Sequence, residues 1–174
     1  MPFFQKRLRL PSSQYRGRRI YFITIGTENR APFFADPAAG HWLLAHLLKL
    51  APQHDFLLDG YCLMPDHIHF VSEGISDTSD LVRFVNDFKQ RTAYEFLKAH
   101  NTRLWQRRFY DHILRPDDAL EDVACYIWLN PVRKGLCSNP RLYPLSGSQT
   151  IDWKTRIPAT LSWTPPWKPP LPPL

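Results

Sequence analysis

Residues 56–72 read FLLDGYCLMPDHIHFVS. Two strand-like runs, Phe56 to Cys62 and His67 to Ser72, flank the connection Leu63-Met64-Pro65-Asp66. Proline cannot donate to a central ladder, so it falls in the turn, and a link this short makes the two runs an antiparallel hairpin. Upstream, Arg19 to Thr27 carries Ile20, Phe22, Ile23 and Ile25 and reads as a strand. Asp36-Pro37 then starts a helix that runs through Trp42, Leu43, Leu44, Leu47 and Leu48 and should stop before Pro52.

Downstream of the hairpin, Leu81, Phe84, Val85, Phe88, Phe96 and Leu97 recur at helical spacing, with Asp77, Thr78 and Ser79 offering caps. A strand around Arg108 to Leu114 follows, and a last helix fits between Pro116 and Pro131. The order β-α-β-β-α-β-α predicts an α+β fold of ferredoxin-like, split β-α-β type. Its antiparallel sheet should carry helices on one face, with a further C-terminal helix. Such a sheet hosts many chemistries, so it assigns no function.

The chain has 174 residues, 44% of them apolar and 14% aromatic, which suits one packed domain. We expect that domain over residues 1–150 and a Pro/Trp-rich tail over 151–174. Six of the 17 prolines fall in the last ten residues, so this end reads as extended. It is either a plain terminus or a strap that lays Trp163 and Trp167 on the domain. Three scattered cysteines form neither a disulfide framework nor a zinc cage. No apolar run is long enough to span a bilayer, and no signal peptide is evident, so a cytoplasmic location is expected. The net charge of +6 is matched by the excess within residues 1–30, where Lys6, Arg7, Arg9, Arg16, Arg18, Arg19 and Arg30 face only Glu28. Such an arm either meets a polyanion or keeps the chain soluble.

Two groups of residues bear on chemistry. In His67-Ile68-His69, residues i and i+2 of a strand share a face, so both imidazoles project together and suit a divalent cation, Mg²⁺ or Mn²⁺. Tyr126 and Asn130 lie four apart on the last helix and share a face one turn from each other. The Asn130 amide oxygen is a hard donor, although Pro131 after it equally marks Asn130 as a helix cap. Tyr126 is either the phenol beside that metal or an aromatic packed on the sheet. Together the groups point to phosphoryl transfer, with Tyr126 attacking a DNA phosphate. The seven glycines form no phosphate-cradling loop, so no nucleotide cofactor is expected.

Three ordered blocks carry a family likeness: YCLMPDHIHFV at 61–71, WQRRFYDH at 105–112 and YIWLNPVRKGL at 126–136. Across roughly Arg19 to Pro144 the chain resembles the single-tyrosine HUH transposases, closest to their REP-associated tyrosine transposase branch. The resemblance implies that His67 and His69 bind the metal, Asn130 is the third ligand and Tyr126 is the nucleophile. It also implies a bacterial, nucleoid-associated enzyme that nicks and rejoins single-stranded DNA next to hairpins through a 5′-phosphotyrosine, as a monomer or homodimer. A non-catalytic DNA-binding relative and a metal-dependent phosphohydrolase are the competing readings. The hydrolase would want a third histidine two residues on, where the chain has Val71.

Around these groups, Arg16, Arg18, Arg19, Arg107, Arg108 and Arg115 are candidate phosphate contacts. Asp66 is either a turn residue or the orienting partner of His67. Asp111-His112 reads as a structural pair, and Trp105 and Tyr110 as core aromatics before base-stacking ones.

Overall fold

Five strands pair antiparallel in the order β4-β1-β3-β2-β5 in the computed structural model, which describes residues 11–157 and 165–166. The strands are β1 (Ile20–Gly26), β2 (Phe56–Met64), β3 (His67–Gly74), β4 (Tyr110–Ile113) and β5 (Ser146–Gly147). The main helices are α1 (Pro37–Gln53), α2 (Leu81–His100) and α3 (Leu120–Trp128), followed by the single turns α4 (Asn130–Arg133) and α5 (Trp153–Arg156). β3 sits between β1 and β2, the two strands that α1 connects.

The hairpin is tighter than its flanks suggest. Met64 pairs directly with His67, leaving Pro65 and Asp66 as a two-residue turn. That turn is held from outside: the Thr27 amide donates to the Asp66 carbonyl and the Phe34 amide to the Pro65 carbonyl, both at 2.9 Å. The register of β3 therefore has two supports, its ladder with β2 and the anchor at the end of β1.

Side-chain alternation along the central strands divides the core in two. Ile23, Ile25, Ile68 and Phe70 face α1 and α2, where they meet Leu43, Leu47, Phe84 and Phe88. Phe22, Val71, Cys62 and Met64 face the other way, onto α3 and Trp153. The expectation of helices on one face thus holds for α1 and α2, and α3 covers the opposite face. α3 approaches closely because Gly60 has no side chain; a Cβ there would stand 3.2 Å from that of Ala124 and 3.4 Å from the Trp128 ring. The Trp128 indole also donates to the Gly147 carbonyl at 3.0 Å, tying α3 to the edge strand β5.

Several boundaries differ from the sequence reading for local reasons. α1 continues through Pro52, because a proline in the last turn forfeits only one helical bond. The cap of α2 is Asp80, whose carboxylate accepts from the Arg83 amide, rather than Asp77, Thr78 or Ser79. α3 ends at Trp128, and Asn130-Pro131 opens the next turn, where proline suits the first positions. β5 was not foreseen, since two residues show no periodicity. The packed body also runs past residue 150, because the Trp153 ring packs at a tilt against Trp128 at 5.7 Å and Ile157 is buried. Trp163 and Trp167 lie outside the described residues.

One buried carboxylate registers on stability. Asp59 is 2% exposed at a bulge in β2; Thr150 donates to its Oδ1, and no described residue reaches its Oδ2. Burial pushes it up to about 6, against the smaller opposing effect of Thr150. A raised carboxylate holds its proton in the folded state after the unfolded chain has lost it, so stability falls as pH rises from about 4 to 6. Asp59→Asn removes this dependence. Relative to wild type, the variant should gain at most about 3 kcal/mol between pH 4 and pH 8, read by urea unfolding. A constant difference across that range would show that Asp59 ionises as freely in the fold as in the unfolded chain.

Candidate active site

His67 and His69 project from β3 on the α3 side of the sheet and are 8% and 5% exposed. Their Nε2 atoms converge to 2.9 Å. Each ring is held at its other nitrogen. The Asp66 carboxylate accepts from Nδ1 of His67, and the Thr24 hydroxyl lies 2.7 Å from Nδ1 of His69. With its Nδ1 proton directed at Asp66, His67 presents a bare lone pair at Nε2. A second nitrogen 2.9 Å away tolerates that lone pair only if a proton or a cation lies between them. Two imidazole nitrogens converging this closely are a donor set that would fit a shared divalent ion.

The supports of this pair extend outward. Asp66 also faces the Arg30 guanidinium, with Nε and Oδ2 3.5 Å apart. Arg30 reaches it from a turn in which Asn29 and Arg30 both have positive φ, a conformation uncommon without glycine. Thr24 sits directly across the ladder from His69. Asp66 is thus both a turn residue and the partner of His67, so its two sequence readings coincide.

Tyr126 reaches the same face from α3. Phe22 bridges the groups: its ring stacks on His69 at 5.6 Å and meets Tyr126 edge-on at 6.4 Å. The Arg133 guanidinium lies 4.1 Å above the Tyr126 ring, and its Nη2 donates to the Tyr126 carbonyl. Burial raises the Tyr126 phenol above its ordinary value, and the charge and hydrogen bonding of Arg133 pull it back without prevailing. Asn130 is 7% exposed, and its Nδ2 donates to the carbonyls of Tyr126 (3.3 Å) and Ile127 (3.2 Å). It therefore caps the end of α3, which leaves Oδ1 as its donor atom toward a cation. Among the described residues no third His, Cys, Asp or Glu joins the histidine pair.

A buried histidine pair facing a tyrosine-bearing helix is the setting in which the comparisons with known proteins fall. Residues 18–128, well over half the chain, match the family described as "Transposase IS200 like". The chain belongs to the IS200-like transposase family. An Escherichia coli K12 protein named REP-associated tyrosine transposase is 27% identical over 157 residues, covering 81% of this transposase and 90% of its own length. A Haemophilus influenzae relative is 25% identical over 138 residues, covering 73% of this chain and 78% of its own. Among solved structures, that of a REP-associated tyrosine transposase bound to a REP hairpin superposes with a TM-score of 0.65 over 82% of each chain at 19% identity, a likeness of fold.

The structure separates the six candidate arginines of this transposase. Arg16, Arg18 and Arg19 lead into the first residue of β1, whereas His67 pairs with Gly26 at the other end of that strand. Two of them face aspartates, Arg16 on Asp80 at 3.2 Å and Arg18 on Asp77 at 3.4 Å. Arg115 follows Leu114, which bonds to Ile20, so it lies at that same far end. Arg107 and Arg108 precede Tyr110, opposite Thr24, and so lie toward the histidines. His112 approaches Asp118 at 3.6 Å, and Trp105 is a core residue whose indole donates to Thr92.

Thr24, Phe22 and Arg133 had no place in the sequence-derived site. Thr24 follows from the β1–β3 register, which no spacing within one strand reveals, and Arg133 from the turn at Pro131. Asn130→Ala removes two hydrogen bonds from the end of α3 and should lower unfolding free energy by about 1 kcal/mol in denaturant titration. No loss would mean that water caps the helix equally well.

Proposed function

We propose that this transposase cuts and rejoins single-stranded DNA beside hairpins of the repetitive-element type, using Tyr126 as a covalent nucleophile. The convergence of two imidazoles, one held by Asp66 and one by Thr24, on the face that also carries Tyr126 is the observation behind this reading. The REP hairpin bound in the solved structure of like fold adds the hairpin substrate.

His67, His69 and the Asn130 Oδ1 would hold one Mg²⁺ or Mn²⁺. When bound, that ion supplies a Lewis acid for a non-bridging phosphate oxygen. The chain's own residues do the rest. Asp66 and Thr24 fix the two imidazoles so that both Nε2 atoms face inward. The Tyr126 oxygen attacks phosphorus and loses its proton as the new P–O bond forms, while the 3′-oxygen leaves and takes up a proton. The product is a 5′-phosphotyrosine and a free 3′-hydroxyl. One phosphate ester replaces another, so a 3′-hydroxyl can reverse the step without a nucleotide cofactor. Arg133 lies over the phenol that must become anionic, where its charge opposes the cost of burial. The flat contact with Phe22 limits where the His69 ring can tilt.

Tyr126→Phe deletes one oxygen and keeps the ring. The variant should bind hairpin DNA with wild-type affinity in a gel-shift assay and yield no nick; a nick from it contradicts the assignment. For the metal, Asp66→Asn should weaken Mn²⁺ binding by about 10- to 100-fold in calorimetry, with the thermal transition retained. Wild-type activity in excess chelator would remove the metal from the account.

A further inference from the structure

We infer that Arg30 is a positioning residue: through Asp66 it fixes the ring of His67, and so sets how tightly the histidine pair holds a divalent cation. This inference rests on the reading of His67 and His69 as ligands of Mg²⁺ or Mn²⁺.

Backbone conformation singles Arg30 out. Among the described residues, positive φ occurs at Gly17, Asn29, Arg30, Asp55, Asn101 and Gly135. Glycine, asparagine and aspartate visit that region readily, and Arg30 is the one residue of another type. At its φ of 57° a glycine would avoid the crowding of Cβ against the following carbonyl that arginine meets. Strain kept at one position points to a side chain with a task there.

The task is visible in what the side chain faces. Arg30 Nε lies 3.5 Å from Asp66 Oδ2, while Asp66 Oδ1 accepts the Nδ1 proton of His67. A carboxylate held at one oxygen can swing about its own bond. Held at both, its plane is fixed. The Asp66 side chain is 30% exposed, so without Arg30 water competes for Oδ2 and the group is free to turn. The His67 ring follows its acceptor, and Nε2 on the far side of the ring then leaves its 2.9 Å approach to His69. Two donors that no longer converge bind a shared cation less tightly.

The frame that carries Arg30 is braced from both sides. Thr27 is fully buried; its amide donates to the Asp66 carbonyl, and its hydroxyl lies 2.9 Å from that carbonyl and 2.8 Å from the Ala31 carbonyl. The Arg30 amide donates back to the Thr27 carbonyl at 3.2 Å. Opposite, the Glu28 amide donates to the Leu104 carbonyl and the Gln106 amide to the Gly26 carbonyl. The Gln106 side chain lies over Gly26, where an added Cβ would stand 3.0 Å from its Oε1. Arg30 and Asp66 thus stand on two turns tied together by their backbones. The ion pair aligns side chains that the backbone has already brought near, and an exposed pair of this kind adds little to stability itself. Its effect belongs to the ligand behind it.

The test is Mn²⁺ titration by calorimetry of wild type, Arg30→Gly, Asp66→Asn and the double variant, with thermal unfolding of each. Arg30→Gly should bind Mn²⁺ about five- to tenfold more weakly, near the lower end for partners that stand behind a ligand. Its thermal midpoint should stay within about 2 °C of wild type, because relief of strain offsets loss of the exposed ion pair. In the Asp66→Asn background the same change should alter affinity less than about twofold, since Arg30 acts through that carboxylate. Removing a positive charge by itself favours a dication, so a purely electrostatic role would tighten binding. Unchanged or tighter binding by Arg30→Gly therefore overturns the inference, and so does an equal loss in both backgrounds. Weaker binding together with a large drop in midpoint would make Arg30 a structural residue and overturn it as well. Failure of wild type to bind Mn²⁺ overturns the metal reading and the inference with it, whereas tight binding by wild type and Arg30→Gly alike overturns the inference alone.

Discussion

In a strand hydrogen-bonded on both edges, neighbouring side chains must point to opposite faces, and β3 is held that way between β1 and β2. Ile68 and Phe70 are fully buried against α1 and α2, so His67, His69 and Val71 have no choice but the α3 side. A slip of one residue would exchange the two sets, exposing the histidines to an apolar layer and removing two large side chains from the first core. The two-residue turn at Pro65-Asp66 prevents that slip. It also places the Asp66 carboxylate on His67, so the residue that ends the hairpin orients the site's first side chain.

The other half of the site depends on how near α3 can come to the sheet. Gly60 and Ala124 allow the approach, and Trp128 locks it through its bond to β5. Tyr126 then stands at the rim of the second core, part-buried, with Phe22 between it and His69. Burial there works against an anionic phenol. Arg133 offsets part of that effect, and its position is set by the turn that Asn130 and Pro131 begin. Burial also pushes the Cys62 thiol up to about 12 and the Cys125 thiol up to about 11.

Much of this was legible in the chain because it rests on local patterns. The hairpin follows from Pro65-Asp66 between apolar runs, the two helices of the first layer from their spacing, and the histidine pair from strand periodicity. Tyr126 and Asn130 are visible as neighbours at i and i+4, and the same spacing left open whether Asn130 caps or binds. The geometry shows its Nδ2 capping the end of α3. What spacing could not show is cross-strand: Thr24 beside His69, Arg30 beside Asp66 and Gln106 over Gly26 all depend on register between distant segments. The surroundings of the basic arm are set in the same way: Arg16 and Arg18 face aspartates just before α2, at the far end of β1 from the histidines.

In the proposed reaction the face built by β3 and α3 turns one phenol into a nucleophile toward DNA. Its most direct test is peptide mapping by mass spectrometry of the covalent adduct formed with hairpin DNA and Mn²⁺. The account predicts a single modified peptide with the 5′-phosphate on Tyr126, and its loss when His69 is replaced by alanine. A phosphate on Tyr110 or another residue, or an adduct that persists without His69, would contradict it.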